Sequence, residues 1–167
     1  TPVRAWQYTM AGHGTQCVDR YLELANKRPE SLKVVATPCI DDHLLAPGDF
    51  ETVGDLAPVA ARIVLKALYL ARMNRPELLW SVNYLARMVT KWNEACDKRL
   101  HRLMSYIHHH KNIANVNWVG DNPEDCKLMM FVDASFAGDL ADPKSTTGGI
   151  LTLVGPRTFV SSGWMCK

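Results

Sequence analysis

The stretch Lys127-Leu128-Met129-Met130-Phe131-Val132-Asp133 decides how the chain is read: five apolar residues run without interruption into a carboxylate. A short run of this kind is strand chemistry. A second run, Gly149-Ile150-Leu151-Thr152-Leu153-Val154, is bounded by glycines, and Arg157-Thr158-Phe159-Val160 opens a third after the turn at Gly155-Pro156. The close spacing across that turn predicts an antiparallel hairpin. Alternation places Asp133 on the face of Met129 and Phe131. A carboxylate closing an apolar strand needs a cation, a capping donor or a metal beside it.

Upstream, the periodicity changes. Residues 55–112 read as three helices. The first carries Val59, Ile63 and Leu70 on one stripe, filled by Ala60 and Ala67, and ends before Asn74. The second is expected to begin there, with Asn74 as cap, Pro76 in the first turn and Glu77 three residues on; its stripe is Leu78, Val82, Leu85 and Val89. The third runs from about Trp92 to His108 on Cys96, Leu100, Leu103 and Ile107. Short connections predict antiparallel neighbours with apolar faces together. Residues 1–54 are expected to be irregular: Pro29, Pro38, Pro47 and Gly48 punctuate them, and one amphipathic piece, Gln16 to Ala25, stands out on Cys17, Tyr21 and Leu24.

Composition bounds the rest. The 167 residues are 47% hydrophobic, enough to bury a core in one domain or two small ones. Nineteen basic against seventeen acidic residues give a net charge of +2, too mild to imply nucleic-acid binding, so any such footprint is local. Five cysteines, an odd number without C-x-x-C spacing, fit a reduced intracellular protein better than a disulfide scaffold. Cys39, His43 and His108-His109-His110 have no zinc-ligand spacing, and the histidine run reads as a solvated helix end. No apolar run reaches the ~18 residues of a membrane span, and no signal peptide is visible. The chain starts at Thr1 and stops in what reads as mid-strand, at Gly163-Trp164-Met165-Cys166-Lys167, so both ends are expected to be cut.

Two blocks carry a family resemblance. Phe131-Val132-Asp133-Ala134-Ser135-Phe136-Ala137-Gly138-Asp139, followed by Lys144-Ser145-Thr146-Thr147-Gly148-Gly149, resembles the RNase H signature of copia-type retrotransposon Pol polyproteins, roughly S-D-A-D-W-A-G-D and then R-K-S-T-S-G-Y. It departs at Val132, Ser135, Phe136, Pro143, Thr147 and Gly149. The family's first catalytic aspartate matches at Asp133; its second stands at Ser135, so no role passes to that position. Leu68-Tyr69-Leu70, Arg75-Pro76-Glu77 and Val82-Asn83-Tyr84-Leu85-Ala86-Arg87 are similar to the family's L-Y-L, T-R-P-D-I and V-x-x-L-S-R stretch, Tyr106-Ile107 to its R-Y-L, and Trp164-Met165-Cys166-Lys167 to its W-x-S-K. The similarity covers about residues 55–167, and the two blocks in this order are more specific than either alone.

The resemblance implies an α+β chain: a three-helix connection segment at 55–112 after the reverse transcriptase, then the first antiparallel strands of a truncated RNase H-like fold at 113–167. It implies metal-dependent hydrolysis of RNA in RNA–DNA hybrids in the intact Pol protein, in the cytoplasm within virus-like particles or in the nucleus. The family chemistry uses two Mg²⁺ ions about 3.5–4 Å apart, held by carboxylates from several elements. Asp133 resembles the shared ligand; the other three family acids would follow Lys167. Asp139, Asp142, Asp121 and Asp125 read as turn residues and not as substitutes. One acid where four are needed predicts a fragment without activity of its own. The alternative is a non-catalytic, nucleic-acid-binding or structural remnant of a decayed element.

Two further readings follow. Cys39-Ile40-Asp41-Asp42 is similar to the Y-x-D-D polymerase motif, but Pro38 breaks the strand that motif needs, and about 33 residues to Arg75-Pro76 is too short a distance for the family's palm. Lys91, Lys98, Arg99, Arg102 and Lys111 cluster on or beside the third helix: either a solvated basic face or, as the resemblance implies, a phosphate-tracking surface, with Lys144 acting beside Asp133. Trp92 and Trp118 read as packing residues. The small β portion is expected to expose apolar surface near Phe159, Val160 and Trp164.

Overall fold

The computed structural model describes residues 2–135 and 146–167, which form four helices and one five-stranded antiparallel sheet. The α+β expectation holds at that level. The chain divides into two compact units, residues 10–113 and residues 1–9 with 114–167. This division differs from the expected 1–54, 55–112 and 113–167, because the first 54 residues are not irregular throughout. Strand β1 (Arg4–Tyr8) belongs to the sheet, and helix α1 (Ala11–Leu24) belongs to the helical unit.

Helix α1 begins earlier than its apolar stripe suggests. It buries Gly14, Cys17, Val18 and Tyr21, spaced three and four residues apart along one face. Its C-terminus closes in a Schellman arrangement: Asn26 takes φ 49°, its N–H donates to the Glu23 carbonyl, and the Lys27 N–H donates to the Leu22 carbonyl. Helix α2 (Ala60–Met73) buries Ala60, Ile63, Val64, Ala67, Leu70 and Ala71, as its stripe predicts. Small residues at 60, 67 and 71 let neighbouring backbones approach.

Helix α3 (Leu79–Met88) starts later than expected. Asn74 does not cap it; the residue closes α2, and its buried side-chain amide has no hydrogen-bond partner among the described residues. Pro76 opens a 3₁₀ turn, Pro76–Leu78, which feeds α3. Arg75, only 2% exposed, braces this corner: it donates to the His110 carbonyl at 3.0 Å, pairs with Glu77 and lies 5.8 Å from the Tyr106 ring centroid. Helix α4 (Glu94–His109) is capped by Asn93, whose side chain accepts from the Cys96 N–H at 3.0 Å. Its buried Cys96, Leu100, Leu103 and Ile107 are the predicted stripe.

In the sheet unit, β2 (Asn115–Val119), β3 (Lys127–Ser135), β4 (Thr146–Gly155) and β5 (Thr158–Cys166) join β1 in the order β1-β2-β5-β4-β3. The predicted hairpin is β4–β5, with Gly155 opposite Thr158 and a register shift between Leu151 and Thr152. Strand β2 meets β5 at Trp118 and Phe159, whose rings stack 5.3 Å apart. The expected apolar exposure on β5 is misplaced: Phe159, Val160 and Trp164 are half-buried. It is β3, at the end of the sheet, that is bare, with Leu128, Met129, Met130, Phe131 and Val132 between 41% and 69% exposed.

Candidate functional site

Asp133 sits near the C-terminal end of β3, on the face of Met129 and Phe131, and is exposed. Its partner across the ladder is Gly148, which in turn pairs with Cys166 on β5. A glycine opposite removes the side chain that would lie against the carboxylate. A Cβ built at Gly148 would find only the Asp133 carbonyl oxygen, at 3.9 Å. Among the described residues, no β4 side chain therefore lies against the carboxylate from the position opposite.

Among the described residues, no group of three or more His, Cys, Asp or Glu side chains comes together as a metal site would require. The residues described do not by themselves fit a two-magnesium centre. Asp139, Asp142 and Lys144 lie outside the described residues. Asp121 and Asp125 are turn residues: Asp121 accepts from the Arg157 N–H at 2.6 Å and holds the β4–β5 turn, and Asp125 ends the 3₁₀ turn Pro123–Asp125.

The basic residues of α4 have a different assignment from the one considered in the sequence. Arg99 is 6% exposed; it pairs with Asp42 and lies 4.5 Å over the Tyr84 ring. A buried guanidinium engaged in this way is not a surface for phosphates, so Arg99 is corrected to a packing residue. Lys98 pairs with Asp49 at 2.6 Å and Glu94 at 3.5 Å. Arg102 remains at the surface and donates to the Thr37 carbonyl and hydroxyl at 3.1 and 3.0 Å. Together these three side chains fasten the segment 37–49 along α4.

Histidines of the same helix extend the fastening. The His101 Nδ1 lies 2.8 Å from the Tyr21 hydroxyl and its Nε2 3.2 Å from the Ser31 carbonyl. A carbonyl only accepts, so Nε2 carries the proton and the tyrosine donates to Nδ1. Burial, with Lys27 nearby, holds the ring's pKa below the ordinary histidine value. His109 reaches the Leu32 carbonyl at 3.0 Å, and His110 turns back to the Tyr106 carbonyl. Two members of the histidine run, His109 and His110, are thus spent on backbone carbonyls.

The Asp41-Asp42 pair lies on no strand. Asp41 caps a 3₁₀ turn, Asp42–Leu44, by accepting from the His43 N–H at 3.0 Å, and Asp42 is the partner of Arg99. Trp92 is buried and donates to Asp97 at 2.6 Å. The partners Asp42 and Asp49 went unseen in the sequence because 57 and 49 residues separate them from Arg99 and Lys98. No local signal spans that distance.

No protein-family model matches the sequence, and neither a curated protein nor a solved structure matches it.

Proposed function

We propose that this chain is the connection and early RNase H segment of a copia-type retrotransposon Pol protein, with Asp133 as one acid of the metal-dependent site that cleaves RNA in RNA–DNA hybrids. The observation that carries the reading is the setting of Asp133: it follows an uninterrupted apolar run on the first strand of a three-strand meander and faces a glycine. Its order after the helical block, with the quoted motifs in both, supports the same reading. The magnesium ions would be held jointly with acids from the remainder of the Pol protein. The Pol protein's other domains and the hybrid are the partners, and no helix among the described residues is long and apolar enough to cross a membrane.

The described residues bring no group of three or more metal-ligating side chains to Asp133, so the 167-residue chain is expected to be inert by itself. The test compares hybrid cleavage in Mg²⁺ by this chain and by a Pol chain extended beyond Lys167. Cleavage only by the extended chain is the expected result. Cleavage by the short chain that persists in Asp133→Asn would sink the assignment, and two inactive chains would favour the non-catalytic remnant.

A further inference from the structure

We propose that Cys39 takes a single oxygen from a peroxide and that the buried Arg99 holds the product as a sulfenate. Cys39 is half-buried, in the segment that the side chains of α4 fasten. Its Sγ lies 2.9 Å from the Ser81 hydroxyl of α3. Together with Pro38, Trp80, Tyr84 and Arg99, these two residues line a small hollow within the helical unit.

Arg99 supplies the observation that points to a ligand. Its Nη2 pairs with Asp42 and its guanidinium lies over the Tyr84 ring, yet its buried Nε has no hydrogen-bond partner among the described residues. A buried N–H without an acceptor is costly, and more so on a cation. Guanidinium nitrogens only donate, so the missing group is an acceptor. The thiol and the Ser81 hydroxyl are already engaged with each other. The hollow offers about 10 Å³ to the centre of a water-sized group, which is room for one oxygen and little else. One oxygen carried on the Cys39 sulfur meets both requirements: it is an acceptor, and it is small.

The chemistry balances with hydrogen peroxide as the oxidant. The Cys39 thiolate attacks one peroxide oxygen; the S–O bond forms, the O–O bond breaks, and the departing hydroxide takes up a proton and leaves as water. The sulfur is oxidised by two electrons and the peroxide is reduced by two. The sulfenate then accepts from the Arg99 Nε–H, a charge-assisted bond. The enclosed thiols of the same unit are poor competitors. Burial pushes Cys17 up to about 12 and also raises Cys96, and only the thiolate attacks. This inference rests on the helical unit alone and is independent of the reading of Asp133.

The test follows oxygen addition by mass spectrometry in the folded and the urea-unfolded 167-residue chain under excess hydrogen peroxide. The tryptic peptide 34–62 contains Cys39 and no methionine, so oxygen gained there reports on this thiol. In the folded chain the peptide should accumulate one oxygen, removable by dithiothreitol. Its passage to two and three oxygens should be slower than in the unfolded chain by about tenfold or more. Arg99→Met keeps the stem but lacks the Nε–H, and should let the oxidation run on. A folded peptide that takes up no oxygen, or that passes beyond one as fast as the unfolded chain, would overturn the proposal and leave the Nε to a bound water. Should Arg99→Met fail to fold, the unmodified chain decides. Its Arg99 Nε–H resonance should shift and exchange more slowly once Cys39 is oxidised; an unchanged resonance contradicts the assignment.

Discussion

The helical unit and the sheet unit spend similar apolar sequences in opposite ways. In residues 10–113 every helix turns its apolar stripe toward others of the same unit, and Ile63, Val64, Ala67, Val82, Leu100, Leu103, Met104 and Ile107 are fully enclosed. Among the described residues of the sheet unit the buried ones are Asn117, Gly120, Thr152 and Thr158, none with an apolar side chain, while five consecutive apolar residues of β3 are exposed. Asn117 accepts from the Ser161 N–H at 2.8 Å, and Thr158 accepts from the Gly120 and Asp121 N–H groups, so polar bonds join β2 to β5. Burial belongs to geometry as much as composition: a helix needs one covered face, whereas strands apolar on both faces need two. The helical unit encloses its apolar residues; the sheet unit leaves those of β3 exposed.

That contrast can be broken most readily in the helical core. Leu103→Ala should cost about 2–5 kcal/mol, read as a fall in the urea midpoint; a loss below 1 kcal/mol would show a loosely packed bundle. Gly54→Ala should cost roughly 1–3 kcal/mol in the same measurement, because a Cβ there would stand 2.5 Å from the Asn93 carbonyl oxygen. Arg99→Ala should cost about 1–2 kcal/mol through its lost ring contact and ion pair, the latter discounted because Asp42 is well exposed. Nucleic-acid affinity should not change in that variant, and a selective affinity loss would restore the phosphate-tracking role.

Acid should weaken the same unit more gently. Burial lowers the pKa of both His101 and His108 below the ordinary 6.5. As pH falls through about 6.5 the unfolded chain takes up protons that the folded chain resists, so stability present above that pH is lost below it. Thermal melting between pH 7.5 and 5 should show the decline, and His101→Gln together with His108→Gln should flatten it; an unchanged slope would remove these rings from the account. The smallest effect is expected on the exposed strand, where Met130→Ser should stay within about 0.5 kcal/mol.

The parts legible in the sequence are those whose signals are local. The stripes of α2, α3 and α4, the run of β3 and the Gly155-Pro156 turn each declare themselves within a dozen residues. Strand β1 does not: Arg4 to Tyr8 finds its register only against Val119 to Asn115, at the other end of the helical unit. Asn74 is ambiguous in the sequence for a physical reason: a cap-like residue before Pro76 suits a helix start equally well whether or not the preceding helix already ends on it. The basic residues of α4 carry a similar ambiguity. Helical spacing reveals that they share a helix, but only the folded chain brings Asp42, Asp49 and Thr37 to them. The place of Asp133 at the end of an apolar strand is legible because the run that precedes it is local.

What the sheet unit's openness means for function turns on Asp133. The most direct measurement is Mg²⁺-dependent cleavage of an RNA–DNA hybrid by the Pol chain extended beyond Lys167, with Asp133 and with Asp133→Asn. Loss of cleavage in the variant, with folding and hybrid binding retained, is the predicted result. Full activity of Asp133→Asn would contradict the account.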